Sequence, residues 1–347
     1  MLRSMYSGIS GMKVNQTKLD VIGNNIANVS TTAFKSSRAE FKDMLYQNAG
    51  YASNPSTYKG GTNAKQVGLG AQLSSINKMM SQGNAMSTGR SLDVCIDGEG
   101  YLIVSGATQD AKLGVTNGAL SGTNTGISDT LYSRDGNLCL DEKGDLLTAD
   151  GYRVMGYYIT GSEVKHDQDV ANTDIKKGDA YISITANDLK TQADNPVAIT
   201  TELRPLAIPD QLVVDGKADK VRTFNIGKDG LITVTLASGN KAVIGQIAQA
   251  SFKNPEALQG VGGNLLQDGA NTGSALIRSG KTSTTGTTTT DNSGGFGDFI
   301  QGALEASNVD LTEQFTDMIV ATRAFQASSK MISNGDEILQ TITGLVR

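Results

Sequence analysis

The chain is 347 residues long, 38% hydrophobic and only 5% aromatic, with no Trp and a net charge of −5. An acidic balance without a basic block speaks against nucleic acid as a partner. No apolar run approaches the ~20 residues that cross a bilayer, so membrane insertion is not expected either.

The length is enough for two or three domains. Glycine at 41 residues against 5 prolines points to many tight turns. The opening "MLRSMYSGISGMKVNQ" lacks the unbroken apolar segment and small-residue cleavage site of a secretory signal. Either the protein stays inside the cell or it leaves by a route that needs no cleaved signal.

Residues 1–30 read as a helix. Alternating steps of three and four place Leu2, Met5, Ile9, Met12, Gln16, Leu19, Gly23 and Ile26 on one stripe, and six of these eight are apolar. Gly8, Gly11 and Gly23 each weaken such a helix by about 1 kcal/mol relative to Ala. A helix of this kind needs partners to be stable. It runs into "NNIANVSTTAFKSSRAEF" (24–41), a dense polar stretch that favours caps and turns. That stretch could serve as a catalytic loop, a disordered linker, or a connector that gains order in an assembly.

From residue 92 the period changes to two. "LDVCIDGEGYLIVSG" (92–106), residues 131–160 and residues 221–252 alternate β-prone runs with DG, KG, SG and GN turns, a chain of hairpins. Residues 161–220 are more polar and carry Pro196, Pro205 and Pro209, so they read as an irregular insertion. "SGKTSTTGTTTTDNSGG" (279–295) is a low-complexity loop leading back to the last helix.

That last helix is expected over about 303–346, roughly 65 Å long at 1.5 Å per residue. Its stripe holds Leu311, Phe315, Met318, Phe325, Ile332, Leu339 and Val346, seven apolar residues among eleven heptad-like positions. Asn308 or Asp310 is the candidate N-cap, with Glu313 placed as in a capping box. Arg3, Lys13 and Lys18 against Asp20 give residues 1–30 a charge of +2, whereas residues 300–347 carry −3. Opposite signs favour pairing of the two ends, by about 0–1 kcal/mol per exposed pair.

Catalytic and metal-binding constellations are weak. His166 stands in the polar segment "EVKHDQD" with no apolar framing, and no Cys/His cluster has zinc spacing. Asp93, Asp97 and Glu99 lie close together, but without EF-hand spacing, and a turn at Asp97-Gly98 explains them. "GEG" and "GVGGN" do not continue as phosphate loops, and Asp141-Glu142 sits beside turn glycines. Cys95 and Cys139 both fall in expected strands and are read as buried free thiols, with a disulfide between the strands as the alternative, unsupported by spacing. An enzyme is disfavoured, and neither a cofactor nor a metal is expected.

The expected fold is mixed α and β. Long N- and C-terminal helices pair in an inner coiled-coil-like domain (1–30 and 296–347), with a connector over 31–71. A central all-β domain of hairpins occupies 72–295, interrupted by the insertion at about 161–220.

Four blocks in order give this reading a family. "SGISGM" with "LDVIGNNIANVSTTAFKSSRAEF", "IDGEGYLIV" with "YSRDGNLCLDEKGDLLTADGYRVMGY", "IGQIAQASFKNPEAL", and "GALEASNVDLTEQFTDMIVATRAFQASSKMISNGDEILQTI" resemble the flagellar rod and hook axial proteins. "VDLTEQFTDMIVATRAFQASSKMI" is nearer the hook branch than the distal rod branch, and Ala33 and Ser30 stand where many relatives have Gly and Asn. The resemblance implies a homopolymer, a helical tube whose inner wall is formed by both terminal helices. The apolar stripes (Leu2, Met5, Ile9, Met12, Leu19 and Ile26; Leu311, Phe315, Met318, Phe325, Ile332, Leu339 and Val346) would then be subunit-interface residues. It also implies export through the flagellar secretion channel to an extracellular hook or basal-body location. Its neighbours there would be the distal rod protein, the hook cap and the hook–filament junction proteins. A secreted β-rich enzyme or carbohydrate-binding protein is the reading from another class, and it lacks a set of convergent polar groups.

Overall fold

A computed structural model describes residues 2–345 apart from 56, 117, 160–163, 166–180, 185–198, 215–216 and 279–295. His166, Pro196, Val346 and the low-complexity loop at 279–295 therefore lie outside the described residues. The chain divides into two compact units, one made of Met1–Ser81 with Ser307–Arg347 and the other of Gln82–Ala306.

The first unit opens with helix α1 (Leu2–Ala27). Successive turns end it: the Asn28 amide donates to the Asn24 carbonyl, Thr31 to Asn28, and Phe34 to Thr31. Four strands follow, β1 (Ser37–Asp43), β2 (Tyr46–Gly50), β3 (Lys65–Gly68) and β4 (Ala71–Lys78). β1 pairs antiparallel with β4, from Ser37 opposite Lys78 to Asp43 opposite Ala71, with a bulge at Glu40/Phe41. β2 pairs antiparallel with β3, Tyr46 opposite Gly68. Helix α2 (Leu311–Leu345) completes the unit. It begins at Asp310, whose Oδ1 accepts from the amides of Thr312 (2.8 Å) and Glu313 (3.4 Å), so Asp310 is the N-cap.

The second unit is all β. In chain order it holds β5 (Ala85–Ser87), β6 (Val94–Asp97), β7 (Tyr101–Thr116), β8 (Ala119–Ser133), β9 (Leu138–Leu140), β10 (Leu146–Thr148) and β11 (Arg153–Ile159). Then come β12 (Val164–Lys165), β13 (Tyr181–Ile184), β14 (Ile199–Pro205), β15 (Gln211–Val214), β16 (Lys217–Ile226), β17 (Leu231–Leu236) and β18 (Lys241–Ile247). The last strands are β19 (Gln249–Ser251), β20 (Gln259–Gly262), β21 (Leu265–Gln267), β22 (Leu276–Ile277), β23 (Asp298–Gln301) and β24 (Ala303–Glu305).

The hairpins expected over 131–160 and 221–252 form: β9–β10–β11 and β16–β17–β18 are antiparallel neighbours. In β17, "LITVTL", side chains alternate, with Ile232, Val234 and Leu236 buried. They join Leu102, Val104 and Val154 in the core.

Three expectations need correction. First, residues 298–305 are not helical: β23 pairs with β6 and β24 with β5, so the two ends of this unit close on each other. The helix expected from about 303 starts at Leu311. Second, 92–106 is not one hairpin, because β6 pairs with β23 while β7 pairs with β8, β11, β14 and β19. Third, most of the described residues of 161–220 are in strands, the exception being 206–210 between β14 and β15. β14 lies between β11 and β7, and β13 pairs parallel with β15, which continues into β16.

A buried ion pair anchors that closure. Arg134 Nε lies 2.7 Å from Glu305 Oε2, and both side chains are nearly inaccessible. Arg134 Nη2 also donates to the carbonyls of Ile96 and Gly98, and Glu305 Oε1 accepts from the Gly83 amide. Both carboxylate oxygens of Glu305 and the Nε and Nη2 atoms of Arg134 thus have partners, and such hydrogen bonds are what make a buried pair tolerable. Cys95 is buried in β6 and Cys139 half-buried in β9, and neither is joined in a disulfide.

Candidate assembly interface

α1 and α2 run antiparallel, and small residues set how closely they approach. A Cβ added at Gly8 would stand 3.1 Å from Ile332 Cγ1 and 3.4 Å from the Ser328 carbonyl oxygen. One added at Gly11 would stand 3.1 Å from Ser328 Oγ, and one at Gly335 3.1 Å from Met5 Cγ. The glycines lower helix propensity, but two of the three in α1 let the partner helix in. Gly23, with nothing within 4 Å, has no such role.

Polar contacts continue the seam toward the other end. Lys18 Nζ lies 3.3 Å from Asp317 Oδ1. Asn25 is buried, donating from Nδ2 to the Ser37 carbonyl and to Gln314 Oε1 while its Oδ1 accepts from the Ser37 amide. One side chain therefore ties α1, the start of β1 and α2 together. Asn308 does the same from the other direction. Its Oδ1 accepts from the Ser36 amide and its Nδ2 donates to the Met79 and Ser81 carbonyls. Lys35 Nζ donates to the Ser81 carbonyl. The polar stretch after α1 is an ordered corner, and its side chains satisfy backbone groups where four segments meet.

The predicted stripe maps unevenly onto this geometry. Met5 meets Gly335, and Ile332 meets Gly8. Met12, Leu19, Ile26, Met318, Phe325 and Leu339 are half-buried. Ile9, Leu311 and Phe315 are exposed, at 37%, 40% and 50%. Leu2 lies in α1, but its side chain is not among those described. Sequence reasoning missed Gly8, Gly11 and Gly335, along with the fully buried Ile22, Asn25 and Ala321. The available signal was the spacing of three between Gly8 and Gly11, which puts both on one helix face.

α2 keeps many large apolar side chains in solvent: Ile319, Val320, Met331, Ile338, Ile342 and Leu345. The far side of α1 faces β4 and the ends of β1 and β3 across a cavity of about 620 Å³, with Tyr6, Ile9, Val14, Met44, Leu69 and Leu73 in its walls. Exposed large apolar side chains gathered on one helix point to an interaction site. Among the described residues, no group of three or more His, Cys, Asp or Glu is placed to hold a metal ion. The carboxylate of Asp93 accepts from Thr88 Oγ1 at 2.6 Å, and that of Asp97 from Gln82 Nε2 at 3.0 Å. No described helix is long and apolar enough to cross a membrane.

The chain is similar to known proteins along its length. Residues 5–35 match the family described as "Flagella basal body rod protein", residues 95–234 "Flagellar hook protein FlgE/F/G D1 domain", and residues 300–345 "Flagellar basal body rod FlgEFG protein C-terminal". The chain is 37% identical over 347 residues to the flagellar basal-body rod protein FlgG of Bacillus subtilis (strain 168), covering 100% of both. It is 29% identical over 451 residues to the flagellar hook protein FlgE of Borreliella burgdorferi, covering 99% of this chain and 100% of that one. The crystal structure of Helicobacter pylori flagellar hook protein FlgE2 matches with a TM-score of 0.38 and 11% identity, over 64% of this chain and 100% of that chain. The chain belongs to the family of flagellar rod and hook axial proteins, structural components of the motility apparatus.

Proposed function

We propose that this protein is a hook subunit, polymerising into a curved hollow tube that transmits torque from motor to filament. The observation that carries polymerisation is the row of apolar side chains that α2 leaves exposed in a single chain. Covering it takes neighbours, and head-to-tail contacts that do not close build a helix of subunits. α1 and α2 pair in coiled-coil-like fashion as the inner wall, and the half-buried stripe residues Met12, Leu19, Phe325 and Leu339 take part in subunit contacts. Polar, water-mediated contacts between the β units of neighbouring subunits slide at low cost as the tube bends.

The protein is exported through the flagellar secretion channel. It adds between the distal rod protein below and the hook cap or junction proteins above. The role is mechanical, without catalysis or cofactor. Strands β13 and β15, in the 161–220 segment, support the hook reading because they extend the sheet at its edge with further outer surface. A distal rod subunit is the second reading, favoured by the 37% identity to a rod protein along the whole chain.

Electron microscopy of tubes grown from the full chain tests both. Curved tubes, whose bend changes when 161–220 is replaced by a Gly/Ser link, support the hook. Straight tubes unaffected by that replacement support the rod, and a dispersed monomer under all conditions overturns the assembly reading.

A further inference from the structure

We propose that the apolar groove on the far side of α1 receives the exposed stripe of α2 from a second copy of this chain. The proposal rests on the assembly reading above and names the two surfaces that meet.

Two surfaces of the first unit are apolar and unpaired. The groove is about 620 Å³ in volume, walled by Tyr6, Ile9 and Val14 of α1 and by Leu69 and Leu73 beside it. The stripe consists of Met331, Ile338, Ile342 and Leu345, exposed at 47%, 49%, 42% and 80%. Its spacings of seven, four and three keep these side chains on one flank of the helix. They cannot meet within one chain. α1 already turns the Gly8–Gly11 face to its own α2, and Ile9 and Lys13 of the groove project from the opposite side of the helix.

Charge selects the occupant. The groove lining carries two bases, Arg3 and Lys13, and no acid. The α2 segment from Met331 to Leu345 carries two acids, Asp336 and Glu337, and no base. Opposed surfaces of this kind steer encounter and set register, while apolar burial supplies affinity. Two grooves or two stripes facing each other would oppose like charges. The contact is therefore heterologous, with knob and hole on different faces, and such a contact propagates a filament instead of closing a dimer.

Lys13 and Glu337 are both exposed, so reversing either leaves the fold intact. Lys13→Glu and Glu337→Lys should each slow polymerisation of the full chain roughly tenfold or more, and the double reversal should restore most of the rate. As a direct contact test, equimolar Ile9→Cys and Ile342→Cys chains are mixed, polymerised and oxidised. Wild type with its two native thiols serves as the blank. A disulfide-linked dimer that forms in the mixture, and in neither variant alone, supports the pairing.

Wild-type rates in both charge variants, or Ile9→Cys linking to itself, would overturn the pairing while tubes still form. Absence of tubes from the wild-type chain would instead bring down the assembly reading, and the pairing with it.

Discussion

The two units distribute their apolar side chains in opposite ways. Among the described residues, the fully buried hydrophobic side chains of the first unit are Ile22, Ala33 and Ala321; all the others belong to the β unit. Exposure is reversed: nineteen large hydrophobic residues are exposed in the first unit and five in the second. The β unit therefore carries its own driving force for folding, since burial of apolar area is the dominant favourable term. The helical unit does not. Its helices have a narrow seam with glycines in it, and the rest of their apolar surface faces solvent until a neighbour arrives. Stability and assembly are thus written into different parts of one chain.

The comparison breaks most sharply if the β unit loses its buried ion pair. Glu305→Gln keeps the shape and an acceptor for the Gly83 amide but leaves the Arg134 guanidinium charged and buried without its counter-ion. Removing one partner of such a pair costs about 3–5 kcal/mol. Denaturant unfolding followed by the tyrosine signal should show a midpoint shift of that size. A midpoint within experimental error of wild type would mean that the closure of β5 and β6 on β24 and β23 does not hold the unit together.

Alkaline pH should discriminate between the units next. Burial pushes the Tyr101 hydroxyl up to about 12, and it raises Tyr132, Tyr157 and Tyr158 as well. A phenol with a raised folded pKa keeps its proton in the native state after the unfolded chain has lost it. Stability from this source is therefore complete below the unfolded value near 10 and falls as pH climbs toward 12. The expected loss is about 1–3 kcal/mol per buried tyrosine across that window. Absorbance at 295 nm should show these buried tyrosines ionising together with loss of β structure. One smooth titration near pH 10 with the fold retained would contradict the burial pattern.

Much of this was legible in the sequence where one rule governs a long stretch. Period-two alternation bounded by DG and KG turns marked β9–β11 and β16–β18, and the heptad-like steps marked both helices. What was not legible depended on partners distant in sequence. "DFIQ" and "ALE", four and three residues long, are strands only because β6 and β5 lie alongside them some two hundred positions away. The strands within 161–220 were hidden by polar composition, since pairing and not side-chain pattern defines them. On α1 the apolar stripe was found, yet the contact with α2 centres on Gly8 and Gly11. Propensity counts glycine as a helix breaker, and only the approach of a second helix shows why it is there.

That distinction yields a paired test of the helical unit. Gly8→Ala inserts a methyl group 3.1 Å from Ile332 Cγ1 and 3.4 Å from the Ser328 carbonyl oxygen. Its overpacking cost of about 1–3 kcal/mol, set against about 1 kcal/mol of gained helix propensity, should leave a net loss of up to about 2 kcal/mol. Gly23→Ala meets nothing within 4 Å and should instead raise helix stability by about 1 kcal/mol. Far-UV circular dichroism against temperature reads both. The same sign for the two variants would show that propensity, not packing, governs α1.

The smallest expected effect lies in the corner after α1. Ala33 has a φ of +55°, one of two non-glycine residues in the left-handed region among those described. An L-residue with a Cβ is disfavoured there by roughly 1–2 kcal/mol, because the methyl crowds the following carbonyl oxygen. The substitution Ala33→Gly removes that strain, but it also deletes a methyl group that is buried and frees the unfolded chain. Strain relief of about 1–2 kcal/mol is set against about 0.8 kcal/mol for the lost methyl and about 0.4–1 kcal/mol for the freer unfolded chain, so the net change stays within about 1 kcal/mol of zero. It should appear as a change of less than about fivefold in proteolysis of the segment from Asn28 to Ser36, whose turns rest on the Asn28, Thr31 and Phe34 amide bonds. It should leave unfolding of the β unit unchanged. Cleavage faster than that in Ala33→Gly would show that the buried methyl matters more than the backbone strain, and that the corner is held by packing.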